Sequence, residues 1–493
     1  MMSRQNTASD LHRLSAAELA RAYRAGHTDP VEVTRHLLKR MQTHGEPVGA
    51  FAHVTADRAL ADAEAARVAL AAGDRRPLLG VPCPIKDLTR VAGEPWEAGS
   101  VLLRGNRANV TDGVAQRLAE AGTVLLGKTS TPEFGMPAYT EPAIGRPART
   151  PWDLDRTAGG SSGGAAAALA AGLAPLAHGN DGGGSIRIPA ACCGVVGLKP
   201  SRGRVSPGPY GEAGAGLAVE GVLTRTVMDA ALALDAISGN RAGDTFTLPA
   251  LRAADALARL EREDALERRG GAPVRIGLLM EPLNVESTEV HPEARRAAED
   301  AAAHLEAAGC EVRDVSRAMS AEEWMSFMPL WAVGAAAIPV PPEAEGHLMP
   351  LTRYLRELGR AASAVELNAA IQGVQRLTRQ ITAHWADVDL ICSPTLSGPA
   401  AYPDELQLAD PAADFEAQKH FTPWSSVWNI TGHPAISVPT HRAEVRGRDG
   451  VSRLLPFGVH IGATRLGDEV AVLAAARVLE RAAPWPRLAP DVA

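Results

Sequence analysis

The segment Val274 to Val315 reads VRIGLLM (274–280), then after a loop HPEARRAAEDAAAHLEAA (291–308), Gly309, and CEVRDV (310–315). A short apolar run, a helical stretch closed by a glycine, and a second short apolar run give a strand–helix–strand rhythm. That rhythm predicts a mixed or parallel sheet covered by helices. Downstream, Val388–Cys392, Ala435–Val438 and Phe457–Ile461 read as further strands, and Asp468–Arg481 as a closing helix.

Upstream, residues 11–44 read as two amphipathic helices broken at Gly26–Pro30, and Ala56–Ala72 as a third helix. Leu78–Ile85 is extended, with prolines that place it at an edge or bend. Thr111–Ala121 is helical and Thr123–Leu126 a short buried strand. Residues 157–210 are rich in glycine, interrupted by a small-residue helix at Ala165–Ala171. Thr224–Ile237 is helical, and residues 250–270 form a charged, exposed helix. No repeat, linker or domain boundary interrupts the pattern. The expectation is one α/β domain over 1–493 with a mixed, mostly parallel, twisted sheet covered by helices.

Composition limits the function. Apolar residues make up 46% of the chain and charged residues 22%, as in an ordinary globular protein. A net charge of −7 without basic blocks gives no footprint for nucleic acid or a membrane surface. No run approaches the roughly 20 apolar residues of a membrane span, and Met1–Asp10 lacks the apolar core of a signal peptide. The five cysteines (Cys83, Cys192, Cys193, Cys310, Cys392) form no C-x-x-C pair and read as buried free thiols of a cytoplasmic protein.

Among 50 basic residues only five are lysines: Lys39, Lys86, Lys128, Lys199 and Lys419. Arginine keeps its proton in a protein, whereas a desolvated lysine can lose it. A lysine retained in such an arginine-rich chain is therefore a candidate for a role that needs the neutral amine. Lys39 and Lys419 read as solvated helix positions.

Two motif matches fail on context. Gly122-x-x-x-x-Gly127-Lys128-Thr129 fits a phosphate loop, but its interior, Thr123-Val124-Leu125-Leu126, is strand-like and no helix follows. Gly159-x-Ser161-x-Gly163 fits a nucleophile elbow, but Pro151–Arg156 before it does not read as a strand.

A third pattern carries chemistry. Lys86 follows an apolar, proline-flanked segment. Ser161 and Ser162 sit in GGSSGG (159–164), and Ser185 ends GNDGGGS (179–185). The spacings are 75 and 24 residues. Successive glycines before a serine let several N–H groups converge on one point, as an oxyanion requires. A serine needs a base, and lysine serves if burial lowers its pKa from about 10.4. The alternative for Lys86 is an ion pair with neighbouring Asp87.

This pattern resembles the amidase signature family, nearly end to end. Val81–Asp87, Gly127-Lys128-Thr129 with Glu133-Phe134, residues 159–203, and blocks around Asn429–Pro439 and Pro456–Gly462 all match. The resemblance implies a core signature at about 75–240. It implies Ser185 as nucleophile, Ser161 as a bridging serine after a cis peptide, and Lys86 as base. The N–H groups of Gly182, Gly183, Gly184 and Ser185 would form the oxyanion hole, and Ser162 would hydrogen-bond Lys86. Asp181 and Arg187 would support the loop as a structural pair or bind substrate. Gly182 departs from much of the family, where a larger residue often stands.

The implied activity is hydrolysis of small apolar amides by a stand-alone enzyme without cofactor or metal, with a homodimer as a possible assembly. Two alternatives keep the same triad: a carbamate hydrolase (urethanase) and a glutaminase subunit of an amidotransferase. The aromatic cluster in the variable region at about 316–425 is expected to wall the substrate pocket, through Trp324, Phe327, Met328, Trp331 and Trp424.

Overall fold

The computed structural model describes residues 10–212, 214–263 and 272–490. The decisive segment folds as read. Arg275–Leu278 and Glu311–Asp314 are parallel neighbours, joined through the helix Pro292–Ala307, whose Ala294, Ala297, Ala298, Ala301 and Ala302 face the core. His291 caps that helix by accepting the Glu293 N–H, and proline at its first turn starts it.

These two strands form one end of an eight-stranded sheet. From that end the order is Glu311–Asp314, Arg275–Leu278, Leu390–Pro394, Ser452–Ala463, Ala435–Arg446, Val196–Lys199, Val219–Thr224 and Leu176–Asp181. The sheet is mixed, as expected, but not mostly parallel. Only the first two pairings are parallel; the other five are antiparallel. The cause is local: Ala435–Arg446 and Ser452–Ala463 are two arms of one hairpin, and Val219–Thr224 runs antiparallel to both its neighbours.

A separate three-stranded sheet carries the lysine segment. Gly127–Thr129 lies between Phe51–Val54 and Ile85–Lys86. The strand expected at Thr123–Leu126 thus forms a few residues later and includes Lys128 itself. Leu78–Gly80 is a turn, Pro82 makes a single bridge to Val124, and only Ile85–Lys86 is strand. The charged helix expected at 250–270 starts at Ala253 and is seen as Ala253–Glu263; residues 264–270 lie outside the described residues.

The helix Gly163–Ala170, GGAAAALA, is buried on every side. It packs against the Leu176–Asp181 strand and the Arg187–Cys193 helix. With side chains this small, neighbouring backbones approach closely, which brings both glycine–serine loops to one place. All five cysteines are free and buried. Among the described residues no helix is long and apolar enough to cross a membrane.

Candidate active site

Lys86 ends its short strand, fully buried, with its neighbour Ile85 paired to Lys128. Its Nζ donates to Ser161 Oγ and to Asn180 Oδ1, both at 2.7 Å. Burial lowers its pKa to about 7, against the opposing pull of the Glu220 and Asp181 carboxylates. The ion pair that Lys86 could have made with Asp87 goes to Lys128 instead, at 2.9 Å between two buried side chains. Lys128 is therefore a structural cation on a strand, without the free N–H cradle of a phosphate loop.

Ser161 follows a cis Gly160–Ser161 peptide and is buried. The expected bond from Ser162 to Lys86 is replaced. Ser162 Oγ donates to the Asn180 carbonyl (3.3 Å), and the Asn180 side chain takes the second Lys86 proton. Asn180 had no role in the sequence reading, although it stands inside the quoted glycine–serine run. The Ser162 N–H donates to the Ser185 carbonyl at 3.1 Å, so the two loops are stitched through their backbones. Among the described residues no hydrogen bond joins the Ser161 and Ser185 hydroxyls. Contrary to expectation, Asp153–Thr157 before this loop is a strand, but one of a two-stranded hairpin and not of the central sheet.

The loop 181–187 is held from behind. Asp181 accepts from the Gly184 N–H (2.8 Å) and the Ile186 N–H (3.1 Å). Arg187 donates to both Asp181 oxygens, to the Ser425 carbonyl and to Asn429 Oδ1. Asn429 returns two bonds to Asp181, one to its carbonyl and one to its carboxylate. Burial alone would raise the Asp181 pKa; the Arg187 guanidinium more than offsets this and holds it below the usual range. Asp181 and Arg187 are thus a structural pair. With the Gly184 N–H committed to Asp181, three N–H groups of the expected four make no hydrogen bond among the described residues: those of Gly182, Gly183 and Ser185. Gly184 has φ +131°, and a Cβ there would stand 2.4 Å from Ser425 Oγ, so only glycine fits.

Ser185 and Gly183 open onto a pocket of about 550 Å³, counting its mouth. Trp324, Phe327 and Trp331 line it. Trp324 packs edge-on against Phe327 with ring centroids 4.6 Å apart, and its indole N–H donates to Ser426 Oγ. Met328 and Trp424 do not line it. Phe327 and Trp331 are four residues apart on one helical face, so Met328 turns into the core. Trp424 is fully buried, its indole N–H held by the Glu281 carbonyl. Gly182 explains the position of Trp331: a Cβ there would approach the indole to 3.2 Å.

Five polar residues of the lining carry no sequence expectation: Asn284, Gln418, Lys419, Thr422 and Ser426. Lys419 is not a solvated helix position. Its side chain is 13% exposed, held by Glu416 and set over the Trp324 ring at 5.7 Å. Its rarity was the only sequence signal for it; nothing in the sequence marked Asn284.

A family model described as Amidase matches residues 32–472. The 6-aminohexanoate-cyclic-dimer hydrolase of Paenarthrobacter ureafaciens is 35% identical, covering 95% of this chain and 94% of that protein. The solved structure of a 6-aminohexanoate cyclic dimer hydrolase complexed with substrate superposes with a TM-score of 0.85 at 31% identity, covering 98% and 99% of the two chains. A bacterial aryl acylamidase of the amidase signature family gives 0.82 at 27% identity, covering 97% and 98%.

Proposed function

The chain belongs to the amidase family, hydrolases acting on carbon–nitrogen bonds of amides, and from that premise we propose that it is a serine-dependent amidohydrolase of small, largely apolar amides, linear, aryl or cyclic. The observation that carries this reading is Ser185 at an aromatic-walled pocket, with the buried Lys86–Ser161 pair behind it.

Ser185 Oγ attacks the carbonyl carbon and forms the new C–O bond. Its proton passes to Ser161 Oγ as Ser161 gives its own to neutral Lys86. The carbonyl electron pair moves onto oxygen, where the N–H groups of Gly182, Gly183 and Ser185 receive it. Collapse breaks the C–N bond, and the leaving nitrogen takes a proton from Ser161, which Lys86 replenishes. Water then releases the acyl group by the same relay. Because the hydroxyls of Ser161 and Ser185 are not bonded in the resting site, Ser185 turns toward Ser161 as substrate binds, as is common for catalytic contacts before the Michaelis complex.

The test is a panel of anilides, primary amides, cyclic amides and carbamates with product analysis. Turnover of amides releasing amine and acid is expected. Turnover of carbamates alone, with carbon dioxide among the products, would replace this reading by a urethanase.

The base also fixes the pH dependence. Lys86 acts as a base only when neutral, so kcat/KM should rise with pH along a limb centred near 7 and fall on acidification. The Glu220 carboxylate favours the charged amine. Glu220→Gln should therefore move that limb to lower pH, by roughly half a unit or more. A profile flat from neutrality to about pH 5 contradicts a lysine base.

A further inference from the structure

The space over the oxyanion loop is open on one side and walled on the other. A Cβ placed on Gly183 would meet nothing within 4 Å. One placed on Gly182 would stand 3.2 Å from Cζ3 and 3.4 Å from Cη2 of Trp331, with the Ala218 Cβ at 3.7 Å. The six-membered ring of the indole therefore lies against the backbone that carries one of the free N–H donors.

This ring is a fixed wall and not a lid. It belongs to the helix Met328–Ala336, which meets the helix Pro350–Ala361 backbone to backbone: a Cβ on Gly359 would collide with the Ala332 carbonyl. Buried Arg356 donates to the Ala335 carbonyl at 2.7 Å and the Ile338 carbonyl at 2.8 Å, which pins the end of the Trp331 helix. The Phe327 ring, one turn earlier, supports the indole with centroids 6.4 Å apart.

The reaction decides which part of a substrate meets the wall. The leaving nitrogen takes its proton from Ser161 and so faces it. The described lining of the aromatic pocket includes Ser185 and Gly183 but not Ser161. The acyl side of the amide therefore enters that pocket, and its first carbon passes Gly182 beside the Trp331 ring. A methylene fits such a slot edge-on. A carbon carrying two further methyls overlaps a wall that packing does not let retreat.

We infer that Trp331, lodged against Gly182, selects the acyl group: it admits acids unbranched beside the carbonyl and excludes those with a quaternary carbon there. The inference rests on the amide-hydrolase reading and sharpens its substrate class to amides of such unbranched acids.

The test compares the p-nitroanilides of butanoic acid and 2,2-dimethylbutanoic acid. The branched anilide is intrinsically slower, so the ratio of their kcat/KM values is compared between proteins. In Trp331→Ala the preference for the straight chain should fall at least tenfold, because single methylenes at a pocket wall are worth factors of this size. Gly182→Ala approaches the same contact from the other side. It should lower kcat/KM for the butanoyl anilide at least tenfold, and adding Trp331→Ala should restore most of that loss. A preference unchanged in Trp331→Ala overturns the inference, and so does a Gly182→Ala effect that is equal with and without the indole. Trp331→Leu keeps more apolar volume and serves the same comparisons if the alanine variant does not fold. Calorimetry on the Ser185→Ala protein separates this from the hydrolase reading. If the wild-type protein releases p-nitroaniline from neither anilide, that reading falls. Tighter binding of the branched anilide after Trp331→Ala in the Ser185→Ala chain would still support the wall, and unchanged binding would remove it.

Discussion

Lys86→Arg is expected to be as inactive as Lys86→Ala, with kcat/KM down by roughly 10⁴-fold or more in each. Lysine-to-arginine exchange keeps the charge, and in most of this chain arginine already fills cationic positions. At residue 86 the charge is the obstacle. The side chain is wholly buried and its amine sits 2.7 Å from the Ser161 hydroxyl, whose proton it accepts in the proposed relay. Burial brings a lysine to about pH 7 there; a guanidinium stays protonated. Ser161→Ala and Ser185→Ala should be comparably inactive, and the triple variant little worse than the singles, because the proposed mechanism uses the three as one relay. Hydrolysis assays beside circular dichroism check this. Substantial activity in folded Lys86→Ala would refute the assignment of the base.

Asp181→Ala should cost about 3–5 kcal/mol of stability and abolish activity with it. Arg187 is fully buried and has no other carboxylate partner among its described bonds. Removing the carboxylate strands the guanidinium and also frees the N–H groups of Gly184 and Ile186, which shape the loop. Asp181→Asn keeps acceptors for part of that network and should lose less stability while still losing activity. Urea unfolding at unchanged m-value measures the difference. A stability near wild type in Asp181→Ala would show that the loop is held by something else.

Much of this was legible in the chain. The strand–helix–strand at 274–315 could be read because its helix has a clear start and a glycine stop. The far edge of the sheet could not. Leu176–Asp181 contains His178, Gly179 and Asn180, which look like loop residues. They become strand only through pairing with Val219–Thr224, more than 35 residues on. Strand direction was likewise invisible, since it depends on partners distant in sequence. The lysine and serines were legible because spacing and glycine context survive in one dimension. Their supports were not: Asn180, Ser425 and Asn429 matter through where folding puts them. The aromatic cluster showed where a pocket wall would be, but the helical face that separates Trp331 from Met328 is a matter of rotation.

The burial of Lys86, Lys128 and Lys199, each 0% exposed, bears on how the protein can be handled. Among the described lysines that leaves Lys39, exposed on the Pro30–Arg40 helix, and Lys419, whose amine is engaged by Glu416. Amine-directed coupling to a resin or a fluorophore has one unobstructed lysine to find in the described fold. A preparation tethered that way would be nearly uniform in attachment through its lysines, with the pocket untouched, without engineering a tag.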